Sequence, residues 1–255
     1  MATIATPQVR PGVNKFYVAM AGVFVAIAFG GFFGTYWLQM ARGTFNGSAM
    51  LHLHGLLFSL WTLFFLSQAT LVANRNLKAH RAWGLFGISL ATAMLFTGLA
   101  VAIGGLHARV DSGLGEAGRA FVILPVTAVL LFAGFIAAAI VNVKRPEWHK
   151  RFMLIGTVAL MQAAIARFFF LAATGGGPGL RPGLGPPLPV EATMSAAGLV
   201  DLLIVAAIVH DWRSYGRVHS AYWWGLGVTL TVQFSRPLLA HTQTWHRVTD
   251  FLLAF

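Results

Sequence analysis

The chemistry available to this 255-residue chain lies in nine histidines and a few charges set inside apolar runs, with no cysteine at all. Lack of cysteine excludes disulfides, thiolate metal sites, iron–sulfur clusters and covalently attached haem, leaving His, Met, Asp and Glu as ligands. Three histidines sit beside basic residues where helices should begin: Lys78-Ala79-His80-Arg81, His149-Lys150-Arg151 and Arg217-Val218-His219. Helix N-termini favour anions, so three of them meeting beside imidazoles would suit an anionic headgroup or one face of a haem. The same residues also fit a plainer role, snorkelling to headgroups beside a belt of Trp83, Trp148, Trp212, Trp223 and Trp224.

A second group comprises His52, His54, His107, His241 and His246. On a helix His52 and His54 point about 200° apart. His54 shares a heptad stripe with Trp61 and Gln68, whereas His52 shares its face mostly with leucines, so His54 is the inward candidate. Together with Glu191 or Asp201, the outer histidines His52, His54, His241 and His246 could hold a zinc or copper ion that activates water, the chemistry of a metal-dependent membrane hydrolase. Ionisable groups in hydrocarbon cost at least about 2.5 kcal/mol and normally face a partner or a cavity. Arg167, Asp201 and Arg236 are such groups, at compatible depths. They predict either an Arg–Asp–Arg bridge or a layer with one spare positive charge for a carboxylate, a phosphate or haem propionates.

The elements that must position these groups are apolar helices. The chain is 57% hydrophobic and 10% charged, against about 25% charged for a soluble domain. A span needs about 20 apolar residues. Seven stretches meet or approach that length: about 16–38, 51–73, 84–104, 119–141, 152–173, 195–209 and 222–240, the sixth being the shortest. The reading is an all-α, seven-helix transmembrane bundle in a single domain, 1–255. Its first span begins at Phe16 and is too long for a removed signal. A Gly/Pro-rich outer loop, 174–193, caps one end.

Of 18 Lys and Arg, eleven fall on the N-terminal side of the bundle and six on the other, with Arg167 inside a span. The positive-inside rule then puts the N-terminus in the cytoplasm and the C-terminus outside. The net charge of +11 reads as orientation and attraction to membrane lipids, not as nucleic-acid binding.

The order His54, Trp61, Gln68, His80-Arg81, Gly84, then His149-Lys150-Arg151-Phe152-Met153, Gln162, Arg167 and Arg217-Val218-His219 resembles a family of uncharacterised bacterial seven-helix membrane proteins. More distantly, the second to fifth helices resemble membrane-bound two-haem b-type cytochromes. That resemblance implies haem b, with His54 and His107 as outer ligands and His80 and His149 as inner ones, Arg167 or Arg236 pairing with propionates, and electron transfer to a redox partner or further membrane subunits in a bacterial inner membrane. The residues themselves leave two other readings open: a non-enzymatic binder of an anionic or lipid ligand, and the hydrolase.

Overall fold

The computed structural model describes residues 12–175 and 186–255, and these are helical throughout, with no strand among them. Helix α1 runs Gly12–Phe32 and continues through a wide π-helical turn, Phe33–Trp37, to Leu38–Ala41. It is followed by α2 (Ala49–Ala73), α3 (Leu77–Asp111), α4 (Gly115–Val141), α5 (Pro146–Thr174), α6 (Met194–Tyr215), α7 (Ser220–Leu239) and a short α8 (Gln243–Leu252).

Local chemistry sets the ends. Ser48, Asn76, His219 and Thr242 each accept a backbone N–H with the side chain at an N-cap, satisfying donors that a helix start leaves open. Pro146 opens α5, where its missing N–H costs nothing, and Gly216 ends α6 in the left-handed conformation, φ 70°.

Six helices are long and apolar enough to cross a membrane. The predicted seventh span coincides with a helix, α7, 20 residues long, whose composition falls short of a membrane span. The reason is where its polar residues point: Thr229, Gln233 and Arg236 are all buried against neighbouring helices, so α7 presents lipid-compatible residues such as Phe234 and Leu238 outward and polar ones inward. Helix α8 was not expected from apolar length, because it is an amphipathic end piece, docked by Trp245 Nε1 donating to the Arg119 carbonyl at 2.7 Å and by Arg119 on Thr249 and Asp250. Of the Gly/Pro-rich loop, residues 176–185 lie outside the described residues. Its last part brings Val190 into a cluster with Ala120, Ile123, Leu124 and Ala240 at the start of α4 and the end of α7.

Helix α5 is central, packed on α1, α4, α6 and α7. One core joins these helices around Phe24, Leu154, Ile155, Ile204 and Tyr222, and a second joins α2, α3 and α4 around Trp61, Leu90, Met94 and Phe132. Large apolar side chains also cover the outside, among them Leu85, Phe96 and Leu130. Helices apolar on both faces belong in lipid, where small residues allow close contact. At Gly31 a Cβ would collide with the backbone of Ala164 on α5. Gly31→Ala is therefore expected to cost about 3 kcal/mol, because a backbone cannot swing aside as a side chain can. Gly134→Ala, whose Cβ would meet nothing within 4 Å, should gain up to about 1 kcal/mol of helix propensity. Unfolding of both variants in detergent checks the pair; equal stability would sink the close-contact account.

Candidate functional site

The first turns of α3 and α5 bring His80 and His149 together at one end of the bundle, ring centres 6.4 Å apart and planes at 81°. His149 Nδ1 lies 2.9 Å from the Ala139 carbonyl. A carbonyl only accepts, so Nδ1 carries the proton and Nε2 keeps its lone pair. His80 faces the backbone carbonyl of Gln68, and its own Nδ1 is buried without a partner. Gln68 is 7% exposed, and neither its amide oxygen nor its nitrogen has a partner. Buried polar groups in native proteins are nearly always bonded, and each one left open costs about 1–3 kcal/mol. Three uncommitted atoms on two adjacent residues mark this as a place prepared for something polar.

A seam of polar groups leads away from it along α2. Trp61, 1% exposed, donates from Nε1 to Thr157 Oγ1 of α5 at 3.2 Å, and Thr157 donates in turn to the Met153 carbonyl. The Trp61 ring stands edge-on to Phe132. Two turns further, His54 stacks on Phe58 with ring centres 4.0 Å apart, its Nδ1 also buried without a partner. Of the two implied histidine pairs, His80 and His149 come within ring contact, and among the described residues no ring contact joins His54 to His107.

The outer charged layer differs from the expected bridge. Asp201 accepts from Gln233 Nε2 at 3.0 Å, and no ion pair joins it to Arg236 among the described residues. Arg236, 2% exposed, instead donates to two neutral oxygens, Thr127 Oγ1 and Gln162 Oε1, both at 2.8 Å. Arg167 lies over the Phe32 ring at 5.4 Å. A further buried cation belongs to this layer: Arg109, 7% exposed, folds back on the Gly105 carbonyl and over Phe121, with Nε lacking a partner. Sequence reading missed it by ending the third span at Gly104, before the helix does.

The strongest polar contact was missed too. Arg151 grips Asp211 with two parallel bonds, Nε to Oδ2 at 2.9 Å and Nη2 to Oδ1 at 2.7 Å, both side chains almost fully buried. Arg151 Nη1 reaches Glu147, and Asp211 Oδ2 also accepts the His219 backbone N–H at 3.1 Å. This ties α5, α6 and the start of α7 together. His219 Nδ1 accepts from the Ala221 N–H, which requires the neutral ring. Burial first, then the Arg151 charge, holds its pKa below the ordinary value. A depressed folded-state pKa gives stability that is present above the unfolded value, about 6.5, and lost as pH falls through the folded one. Thermal unfolding between pH 7.5 and 5 should therefore lose less stability in His219→Ser, which keeps an N-cap oxygen but cannot titrate; identical pH slopes would refute it.

The remaining candidates are dispersed. His52 Nδ1 meets the Tyr36 hydroxyl at 3.1 Å. His241 and His246 converge at 3.7 and 3.4 Å on Glu116, a residue not singled out in the sequence, while Glu191 is exposed at the entry to α6. Among the described residues neither Glu191 nor Asp201 makes a polar contact with these histidines, and no group of three His, Asp or Glu side chains, the Glu116 pairings included, is arranged to hold a metal ion. Comparison of the chain with family models, with curated proteins and with solved structures gives no match.

Proposed function

We propose that this is a membrane protein of seven spans that holds one b-type haem between His80 and His149 and carries electrons at the membrane. The observation that carries this reading is the 6.4 Å separation of two crossed imidazoles at the starts of α3 and α5. Two imidazoles at this separation could each offer one ring nitrogen to a metal held between them. Haem brings four nitrogens of its own and needs only two side chains, so the lack of a third ligand argues against zinc or copper and not against haem.

Bound haem supplies reversible one-electron chemistry. The chain's own residues do the rest. The bond from His149 Nδ1 to Ala139 fixes the ring and leaves the Nε2 lone pair free to bind. Gln68 and His80 offer open polar atoms beside it. Arg167 and Arg236 cannot serve propionates there, since Arg167 lies 18 residues, about 27 Å, along α5 from His149. The basic residues Lys78, Arg81, Lys144 and Arg145 surround this end, which the positive-inside rule assigns to the cytoplasm, and they suit an acidic redox partner. As the seventh span, α7 is supported by its length of 20 residues, about 30 Å, and by exposed Trp223 and Trp224 at headgroup depth beside exposed Trp83 and Trp212.

The test is a dithionite-reduced minus oxidised spectrum of the detergent-purified protein. A sharp α-band is expected. A flat spectrum from haem-supplemented cells would overturn the proposal and favour a binder of anionic ligands, the reading supported by the buried guanidiniums of Arg109 and Arg236, neither of which makes a direct ion pair among the described residues.

A further inference from the structure

At the same end of the bundle as His80 and His149, but on the outside, a cleft of about 530 Å³ opens between the first turns of α1 and the last turn of α2. Its rim carries Lys15 and Arg75 with Asn74, and its walls are Val18, Ala19, Thr70 and Ala73. Lys15, Arg75 and Asn74 are exposed, and among the described residues neither cation has a carboxylate within ion-pair distance. Below the cleft the face of α1 stays uncovered at Gly22. Lys15, Val18, Ala19 and Gly22 follow one another at helical spacing, and a Cβ at Gly22 would meet nothing within 4 Å. Exposed Val23 and Leu63 continue the apolar surface. The site is thus two exposed cations over a cleft with apolar walls, continued by apolar surface along α1 and α2.

The backbone at Arg75 is the second observation. Arg75 has φ 58° and is the only non-glycine residue with positive φ among those described. It terminates α2 in a closed turn, with Arg75 N–H on the Val72 carbonyl and Asn76 N–H on the Leu71 carbonyl. This position is normally glycine, because a Cβ is strained there. A long cationic side chain held in a glycine position, flanked by Asn74 and Asn76, which tolerate that conformation better, is a local conflict that calls for a functional reason.

We infer that the α1–α2 cleft binds an anionic glycerophospholipid, its phosphate and anionic headgroup between Lys15 and Arg75 and one acyl chain along the apolar surface past Ala19 and Gly22. Cations at headgroup level recognise the negative headgroup, and the apolar surface recognises the tail, which distinguishes a lipid from free phosphate. This site is independent of the proposed haem.

Native mass spectrometry of the full-length protein, delipidated in detergent and titrated with phosphatidylglycerol or phosphatidylcholine, tests it. Phosphatidylglycerol should bind more tightly, and Arg75→Gly and Lys15→Gln should each weaken it about fivefold, the effect of one basic residue at an anionic surface, with phosphatidylcholine unchanged. Arg75→Gly relieves the backbone, so it should unfold at the same temperature as the parent or higher, and weaker binding cannot then be blamed on misfolding. Equal binding of the two lipids, or unchanged phosphatidylglycerol binding in Arg75→Gly, would overturn the inference. So would displacement of the lipid by millimolar inorganic phosphate, which would make this a free-phosphate site.

Discussion

Asp211→Ala is expected to destabilise the protein by about 3–5 kcal/mol, the cost of leaving a buried charge without its partner. Arg151 is held on three sides, by Asp211, by Glu147 and by the rings of Tyr222 and Tyr215 at 5.5 and 5.8 Å. Of the two carboxylates only Asp211 is buried with it; the Glu147 side chain is 49% exposed and screened. Losing Asp211 also frees the His219 N–H, so the turn into α7 loses its anchor. For a chain this size the cost corresponds to a fall of about 10 °C in unfolding temperature. Arg151→Met combined with Asp211→Leu should recover most of it, because an apolar pair of similar volume removes both charges from the interior. Detergent unfolding of the two single variants and the double decides the matter: additive losses would mean that the pair is not coupled.

His149→Ala and His80→Ala should each abolish the reduced α-band and reduce bound haem at least tenfold, while the helical content stays intact. Neither side chain is a fully buried packing residue, so loss of the band in a folded protein separates a ligand from a structural histidine. His54→Ala and His107→Ala act as the contrast. With ring contact only in the pair of His80 and His149 among the described residues, these variants should keep the band, and His54→Ala should at most alter its position through the seam of Trp61 and Gln68. Loss of the band in His54→Ala with retention in His149→Ala would place the cofactor at the other end of the bundle and refute the assignment.

The helices were legible because lipid demands long apolar runs, and Leu51–Ala73 in sequence differs from α2 by only two residues at its start. The errors share a cause. Hydropathy stops at the first charge, whereas a helix stops only where its hydrogen bonds do. The third span was cut to Gly84–Gly104, yet α3 runs Leu77–Asp111, and the sixth to Ser195–Val209, yet α6 runs on to Tyr215. Arg109 and Asp211 both lie in the lost turns. Arg151, placed just outside the fifth span, passed as an interfacial cation although it is 1% exposed. Glu116 could not be found, because its meeting with His241 and His246 depends on how α8 folds back over α4. The heptad of His54, Trp61 and Gln68 was visible because all three lie on one helix, whereas no local pattern encodes the meeting of His80 with His149, 69 positions away.

The inward-turned polarity of α7 bears on how the chain enters its membrane. Six helices are long and apolar enough, by length and composition, to cross a membrane. In the seven-span reading α7 is not apolar enough alone, since Arg236 enters lipid cheaply only once Thr127 of α4 and Gln162 of α5 stand ready to receive it. Insertion of this helix is then a late event, contingent on tertiary assembly, and the side of the membrane on which α8 emerges becomes a record of whether the preceding helices had already found one another.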